Sequence, residues 1–178
     1  MIQELYQKAM KFAGEKHAEQ KVPGSKSNYL LHLSNVAMEV LFAHKKKEDF
    51  DLECAIQLAI LHDTVEDTDT TAEELSELFG TNISNGVLAL TKNTSIASKD
   101  DQMTDSLTRI NLLRKEVGIV KIADRITNLQ KPPPHWTNSK TQSYHQQAII
   151  IANKLHGKNE YLENRLKGKI EAYKNHFQ

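Results

Sequence analysis

Apolar residues return every three or four positions along most of this chain. Leu5, Ala9, Phe12 and Ala13 form the first stripe; Leu33, Val36, Ala37, Val40 and Leu41 form the second; Leu52, Ala55, Ile56, Ala59 and Ile60 form the third. That spacing is the period of an α-helix with one buried face. Thr71 followed by Glu74 has the form of a capping box, opening a helix over Leu75, Leu78 and Phe79 that Gly80 is placed to end. Ile83, Val87 and Leu90 carry the pattern on, and the polar run from Thr91 to Lys99 reads as a surface loop. Met103, Leu107, Ile110 and Leu113 predict another helix. Gly118 is expected to break the chain before Ile119, Ile122, Ala123, Ile126 and Leu129 mark the next. Three prolines, Pro132 to Pro134, forbid continuation. Beyond them Tyr144, Ala148, Ile151 and Leu155, then Leu162, Leu166, Ile170 and Tyr173, predict two last helices on either side of a turn at Gly157 to Asn159. No segment alternates as a strand would, and there is no repeat. The pattern predicts an all-α, compact helical bundle, one domain over residues 1–178, of about eight or nine helices.

Composition narrows the classes of partner. Lys plus Arg and Asp plus Glu are equal at 23 each, so no global field draws the chain to nucleic acid or to an anionic membrane. Recognition of a phosphorylated ligand must therefore be local. The single cysteine, Cys54, excludes an intramolecular disulfide and a cysteine-rich zinc site, and reads as a small buried apolar side chain. The opening MIQELYQKAMKF is charged and amphipathic, without the apolar core of a signal peptide, which leads to an expected cytoplasmic location. Oligomeric state is left open by the pattern.

Chemistry concentrates in LAILHDTVEDT, Leu58 to Thr68, where an apolar helix runs directly into acids and a histidine. On a continuing helix His62 and Glu66 share a face at i, i+4, as do Asp63 and Asp67. His62 and Asp63 point roughly 100° apart on such a helix, so both reach one ion only if other elements complete its shell. Two other polar residues sit inside apolar helices: His32 in NYLLHLSNVA and Asp124 in IVKIADRITNLQ. Buried ionisable groups are costly unless paired or bound to metal. Two imidazoles and two carboxylates brought together from three helices would suit a borderline divalent cation such as Mn²⁺, Fe²⁺, Zn²⁺ or Co²⁺. Asn128 lies one turn past Asp124 and so faces the same site. Lys121 and Arg125 flank that helix, and Lys92, Lys99, Lys131 and Arg109 are spaced where loops could neutralise a phosphate. His135 and Trp136 follow the proline run, and Trp136 is a candidate for stacking on a base or for capping the core.

Taken in order, AMKFAGEKHAEQ, NYLLHLSNVA, AILHDTVEDTDTT, ELFGTNIS, LTKNT and KIADRITNLQ resemble the HD superfamily of phosphohydrolases, and within it the hydrolase domain of RelA/SpoT proteins and their stand-alone alarmone hydrolase relatives. The resemblance spans a motif core over residues 9–130, leaving C-terminal helices over 139–178 to pack on it. It implies that His32, His62, Asp63 and Asp124 ligate a metal, most often Mn²⁺. Glu66 and Asp67 would be the acidic pair that activates water, and Asn128 would contact a small nucleotide substrate near the scissile group. The implied reaction is removal of pyrophosphate from the 3′ position of guanosine tetra- or pentaphosphate. One departure bears on the base. The family's HxGQxRKxG-like segment, whose Arg contacts it, is replaced by His17-Ala18-Glu19-Gln20-Lys21-Val22-Pro23-Gly24, in which Lys21 is the only nearby cation. Adenosine analogues therefore stay open. So do an HD phosphatase acting on another nucleotide or phosphorylated cofactor, and a non-catalytic regulatory module.

Overall fold

The third helix is apolar on nearly every side, and it forms the centre of the molecule. Cys54 through Leu61 are all buried, as befits a helix packed around its whole circumference. The structure, a computed structural model, describes residues 1–177; Gln178, the end of the expected C-terminal segment, lies outside the described residues. In chain order the helices are α1 Ile2–Lys16, α2 Leu30–Lys46, α3 Leu52–Leu61, the single turn α4 Thr64–Asp67, α5 Ala72–Phe79, α6 Thr81–Leu90, α7 Lys99–Leu112, α8 Lys115–Asn128, α9 Asn138–Lys154 and α10 Glu160–Tyr173, followed by a 3₁₀ turn Lys174–His176. Among the described residues the only β pairing is one isolated bridge between Lys21 and Asn28, so the all-α prediction holds.

α1, α2, α6 and α8 surround α3, and α10 lies across α8 and α2. Side chains at the helix starts fix the boundaries by accepting otherwise orphaned backbone N–H groups. Asp51 accepts from Cys54 N at 3.0 Å, Thr71 from Glu74 N at 3.1 Å, and Asn159 from Leu162 N at 3.1 Å. Gly80 ends α5 with φ 88°, a left-handed conformation that costs a residue with a side chain and not glycine. Cys54 is buried and unpaired, and burial pushes its thiol up to about 11, which keeps it inert.

Two expectations about breaks are corrected. Gly118 does not interrupt a helix. It lies inside α8, and a Cβ there would come within 3.1 Å of the Lys158 side chain, so the glycine permits close approach of the α9–α10 turn. The break falls at Leu113 and Arg114, whose extended ψ angles of 178° and 151° separate α7 from α8. The second correction lies between α3 and α4 and shapes the functional site.

Exposed Arg114 and buried Glu116 make a clamp at the start of α3. The Glu116 carboxylate accepts from Asp51 N at 2.8 Å and from Arg114 Nε at 2.9 Å, while Arg114 Nη2 donates to Asp51 at 2.9 Å. Burial works to raise the Glu116 carboxyl, but the Asp51 N–H and Arg114 outweigh it and hold it below its ordinary range. A folded-state value below the unfolded one gives stability that is present above the ordinary glutamate range and lost as pH falls through the lowered value. Glu116→Gln is therefore expected to lose about 1–3 kcal/mol in urea unfolding at pH 7, and progressively less as pH falls through the lowered value, where the wild-type carboxylate itself becomes protonated.

Candidate metal centre and cavity

α3 stops at Leu61, and two side chains help to stop it. Thr64 Oγ1 donates to the Leu61 carbonyl at 2.7 Å, and the His62 imidazole bonds the Ala59 carbonyl through Nδ1 at 2.8 Å. The chain turns at His62 and Asp63, and a new turn starts when Asp67 N bonds the Asp63 carbonyl at 2.9 Å. The expected continuous helix through Glu66 is thus replaced by a break. The break resolves the geometric difficulty noted for adjacent residues, because it lets His62 and Asp63 face one point: Nε2 of His62 lies 3.0 Å from Oδ2 of Asp63.

Two other helices complete the point. His32, from the first turns of α2, brings Nε2 to 3.3 Å from His62 Nε2, 3.6 Å from Asp63 Oδ2 and 3.4 Å from Asp124 Oδ1. Asp124, from α8, lies with Oδ1 at 3.8 Å from His62 Nε2. Donor atoms of His32, His62 and Asp124 all fall within 4.8 Å of one another, and these three residues are buried. Three of the expected ligands thus form one group, and Asp63 joins it through the two imidazoles, at 3.0 Å from His62 and 3.6 Å from His32.

The donor chemistry fits a divalent cation. His62 Nδ1 bonds a carbonyl, so Nε2 is the nitrogen that faces the cluster, the arrangement that orients metal-binding imidazoles. Burial works against charge on His62, but Asp63 and Asp124 raise its imidazole to about 10. Burial likewise opposes ionisation of Asp63 and Asp124, yet both are held well below the carboxylate range, Asp63 by His62 and His32, Asp124 by Lys121 and the two histidines. Two ionised carboxylates at a buried point favour any positive charge placed between them. Tyr29, whose phenol burial and Asp63 push up, stays protonated and donates to Asp63 Oδ2 at 2.6 Å. The Asn128 amide donates to Asp124 Oδ1, and Lys121 Nζ to Asp124 Oδ2 at 3.1 Å.

A cavity of about 700 Å³ opens beside these residues. Tyr29, Asp63 and Asp124 line its floor, with Glu66 and Asp67 beside them. Lys92 donates to Glu66 through both its backbone N and its ammonium. Asp67 accepts from Gln20 Nε2 at 2.8 Å; burial and the neighbouring Asp63 and Glu66 raise its carboxyl. The wall is cationic and aromatic, with Lys92, Lys99, Lys121, Arg125, Lys140, Trp136 and Tyr144. Arg125 is 8% exposed and lies over the Tyr144 ring at 4.2 Å, and its Nε and Nη1 have no hydrogen-bond partner among the described residues.

Several expected phosphate-neutralising residues lie elsewhere. Arg109 is taken up by Asp105 and by the carbonyls of Leu88 and Thr91, because its helix packs on α6. Lys21, Lys131 and His135 are exposed and are not among the cavity-lining residues; Lys21 sits in the bridge to Asn28. Tyr29, Gln20, Lys140 and Tyr144 escaped sequence reasoning. Tyr29 carried a signal, since it precedes His32 by one helical turn and so shares its side of the chain. For Gln20 no periodic signal existed, as it lies on a loop.

A protein-family model described as the HD domain matches residues 9–158. The chain belongs to the HD-domain family. The matched span runs beyond Gln130 through α9, so this HD-domain chain carries its fold past the motif core expected from sequence. It is 33% identical to the guanosine-3′,5′-bis(diphosphate) 3′-pyrophosphohydrolase MESH1 of Danio rerio, over 87% of this chain and 86% of the relative. With the Homo sapiens protein of that name it shares 31% identity, over 89% of each chain. A solved structure titled as a metazoan ortholog of SpoT that hydrolyses ppGpp superposes with a TM-score of 0.80 at 24% identity, covering 94% of both chains. That likeness shows that the HD-domain fold is shared. The donor group falls on the HD dipeptide, His62-Asp63, that gives the family its name, and no helix among the described residues is long and apolar enough to cross a membrane.

Proposed function

We propose that this HD-domain protein is a metal-dependent pyrophosphohydrolase acting on the 3′-pyrophosphate of guanosine tetra- or pentaphosphate. What carries the proposal is identity of 31–33% with enzymes of that name over nearly the whole length of both partners. The group of His32, His62 and Asp124 with Asp63 beside the two imidazoles, and a cationic cavity next to it, support the same chemistry. His32, His62, Asp63 and Asp124 would hold the ion, and two nitrogen with two oxygen donors suit Mn²⁺. When bound, such an ion lowers the pKa of water and neutralises charge growing on a phosphoryl oxygen.

The remaining work falls to the protein's own groups. Water oxygen attacks the phosphorus attached to O3′, the P–O3′ bond breaks, the proton lost by water passes to a protein carboxylate, and the departing O3′ takes up a proton to become the ribose hydroxyl. Glu66 is occupied by Lys92 and so is fixed as an orienting anion. Asp67, whose one protein donor is a neutral amide, is the carboxylate suited to accept that proton. Asn128, beside Asp124, would donate to ribose or phosphate oxygen. Lys121 and Arg125 would receive the pyrophosphate, with Lys99 and Lys140 on the wall around it. Trp136 and Tyr144 give the cavity aromatic surface for a purine. Lys21, off the cavity wall, is assigned no more than a long-range attraction for the substrate. We read the protein as a cytosolic enzyme, since its substrate is a soluble nucleotide and its one cysteine is an unpaired buried thiol.

Incubation of Mn²⁺-loaded protein with guanosine tetraphosphate is expected to yield guanosine diphosphate and pyrophosphate in equal amounts by anion-exchange chromatography. Release of single phosphate from mononucleotides, with guanosine tetraphosphate untouched, would instead identify a phosphatase of another kind. A parallel incubation with the adenosine analogue reads the base preference.

A further inference from the structure

The loop between α1 and α2 is folded against the acidic pair by bonds that the metal ligands do not need. Asn28 anchors it, donating to the carbonyl of Ala18 at 2.9 Å and accepting from Leu30 N at 2.9 Å, while Tyr29 N bonds the Gln20 carbonyl at 3.0 Å. Within this frame His17 is buried at 1% exposure under the ring of Tyr29, with ring centroids 5.0 Å apart. His17 Nδ1 lies 2.6 Å from Gln20 Oε1, and Gln20 Nε2 lies 2.8 Å from Asp67 Oδ2.

The polarity of this chain runs one way. Asp67 only accepts, so the Gln20 group facing it must be the NH₂; the amide oxygen then faces His17, which must donate from Nδ1. His17 Nε2 is left as the bare nitrogen, buried with no hydrogen-bond partner among the described residues. A rotated amide would set its oxygen against a carboxylate. The carboxylate thus selects one orientation of Gln20, the buried ring in the matching tautomer holds that orientation from the other side, and Gln20 in turn holds one oxygen of Asp67.

We propose that Gln20, aimed by His17, is a positioning residue for the hydrolysis, holding the Asp67 carboxylate so that its other oxygen is presented to the attacking water. The role rests on the assignment of Asp67 as proton acceptor made above. It predicts an effect on turnover and none on substrate affinity, because Gln20 is not among the residues that line the substrate cavity. One hydrogen bond to a charged group, felt in the transition state, amounts to roughly a 10- to 100-fold change in rate.

Wild type, Gln20→Glu and Gln20→Met are to be assayed on guanosine tetraphosphate with Mn²⁺, with Tm and bound metal measured on each protein. Both substitutions keep the length of the side chain; the first places a second carboxylate against Asp67 and the second removes the donor. Both are expected to lower kcat roughly 10- to 100-fold with KM within about twofold of wild type and one ion still bound. Adding Gln20→Met to Asp67→Asn is expected to cause no further loss, because Gln20 acts only through that carboxylate. Full kcat in both single variants, a rise in KM with kcat unchanged, or an additive loss in the double variant would overturn the positioning role while leaving the hydrolase assignment intact. An inactive wild-type protein would overturn both.

Discussion

Asp63→Ala is expected to lower kcat on guanosine tetraphosphate by at least about a thousandfold, the scale of losing a metal or its oriented charge. The substitution strikes three contacts at once. Asp63 Oδ2 lies 3.0 Å from His62 Nε2 and 3.6 Å from His32 Nε2, and it accepts the Tyr29 hydroxyl at 2.6 Å. Without it one carboxylate, Asp124, faces two imidazoles, and divalent binding loses half its anionic charge. Asp63 is 21% exposed and lies at a chain break rather than in the apolar core, so the variant is expected to keep the fold. Tm in the absence of metal should therefore stay within a few degrees of wild type. Tyr29→Phe, which removes only the donor that orients Asp63, should show a smaller loss, about tenfold, with Asp63 still able to ligate. Steady-state kinetics with thermal unfolding of both variants checks the pair.

Arg125→Met is expected to separate activity from stability. The guanidinium is buried, packed on the Tyr144 ring, and has two nitrogens with no partner among the described residues. Buried donors left unpaired lower stability, and an apolar chain of similar length removes that cost while keeping the packing. The unpaired nitrogens are on a residue that lines the cavity, which is where a phosphate would accept from them. The variant should unfold at the same temperature as wild type or higher, while kcat/KM falls by roughly 100-fold, the scale of one or two lost charge-assisted hydrogen bonds. A raised Tm with undiminished kcat/KM would show that Arg125 does not meet the substrate.

The helical period was legible because burial dictates it. The stripes beginning at Leu5, Leu33 and Leu52 became α1, α2 and α3, and the Thr71 box and the Gly80 stop lie where the sequence put them. The candidate metal ligands were legible for the same reason inverted: His32 and Asp124 stand out as ionisable groups on apolar faces. Gly118 misled because glycine allows two things, a break and a close approach, and only the position of Lys158 decides between them. The turn at His62 and Asp63 was hidden because side-chain bonds from Thr64 and His62 to carbonyls of α3 have no periodic signature. Arg109 and Lys131 show the converse: charge count and spacing suggest phosphate binding, but pairing and loop direction decide it. Gln20 and Lys92 matter through tertiary contacts with Asp67 and Glu66, respectively 47 and 26 residues away in the chain, which no local pattern encodes.

The proposed chemistry turns on a single divalent ion that residues from α2, the α3–α4 turn and α8 would hold. Titration of metal-free protein with Mn²⁺, followed calorimetrically alongside turnover, should give one ion per chain, activity rising in step with occupancy, and loss of both in Asp124→Ala. Full hydrolysis by chelator-treated protein, or unaltered Mn²⁺ binding in Asp124→Ala, would show that these four side chains do not form the reactive centre.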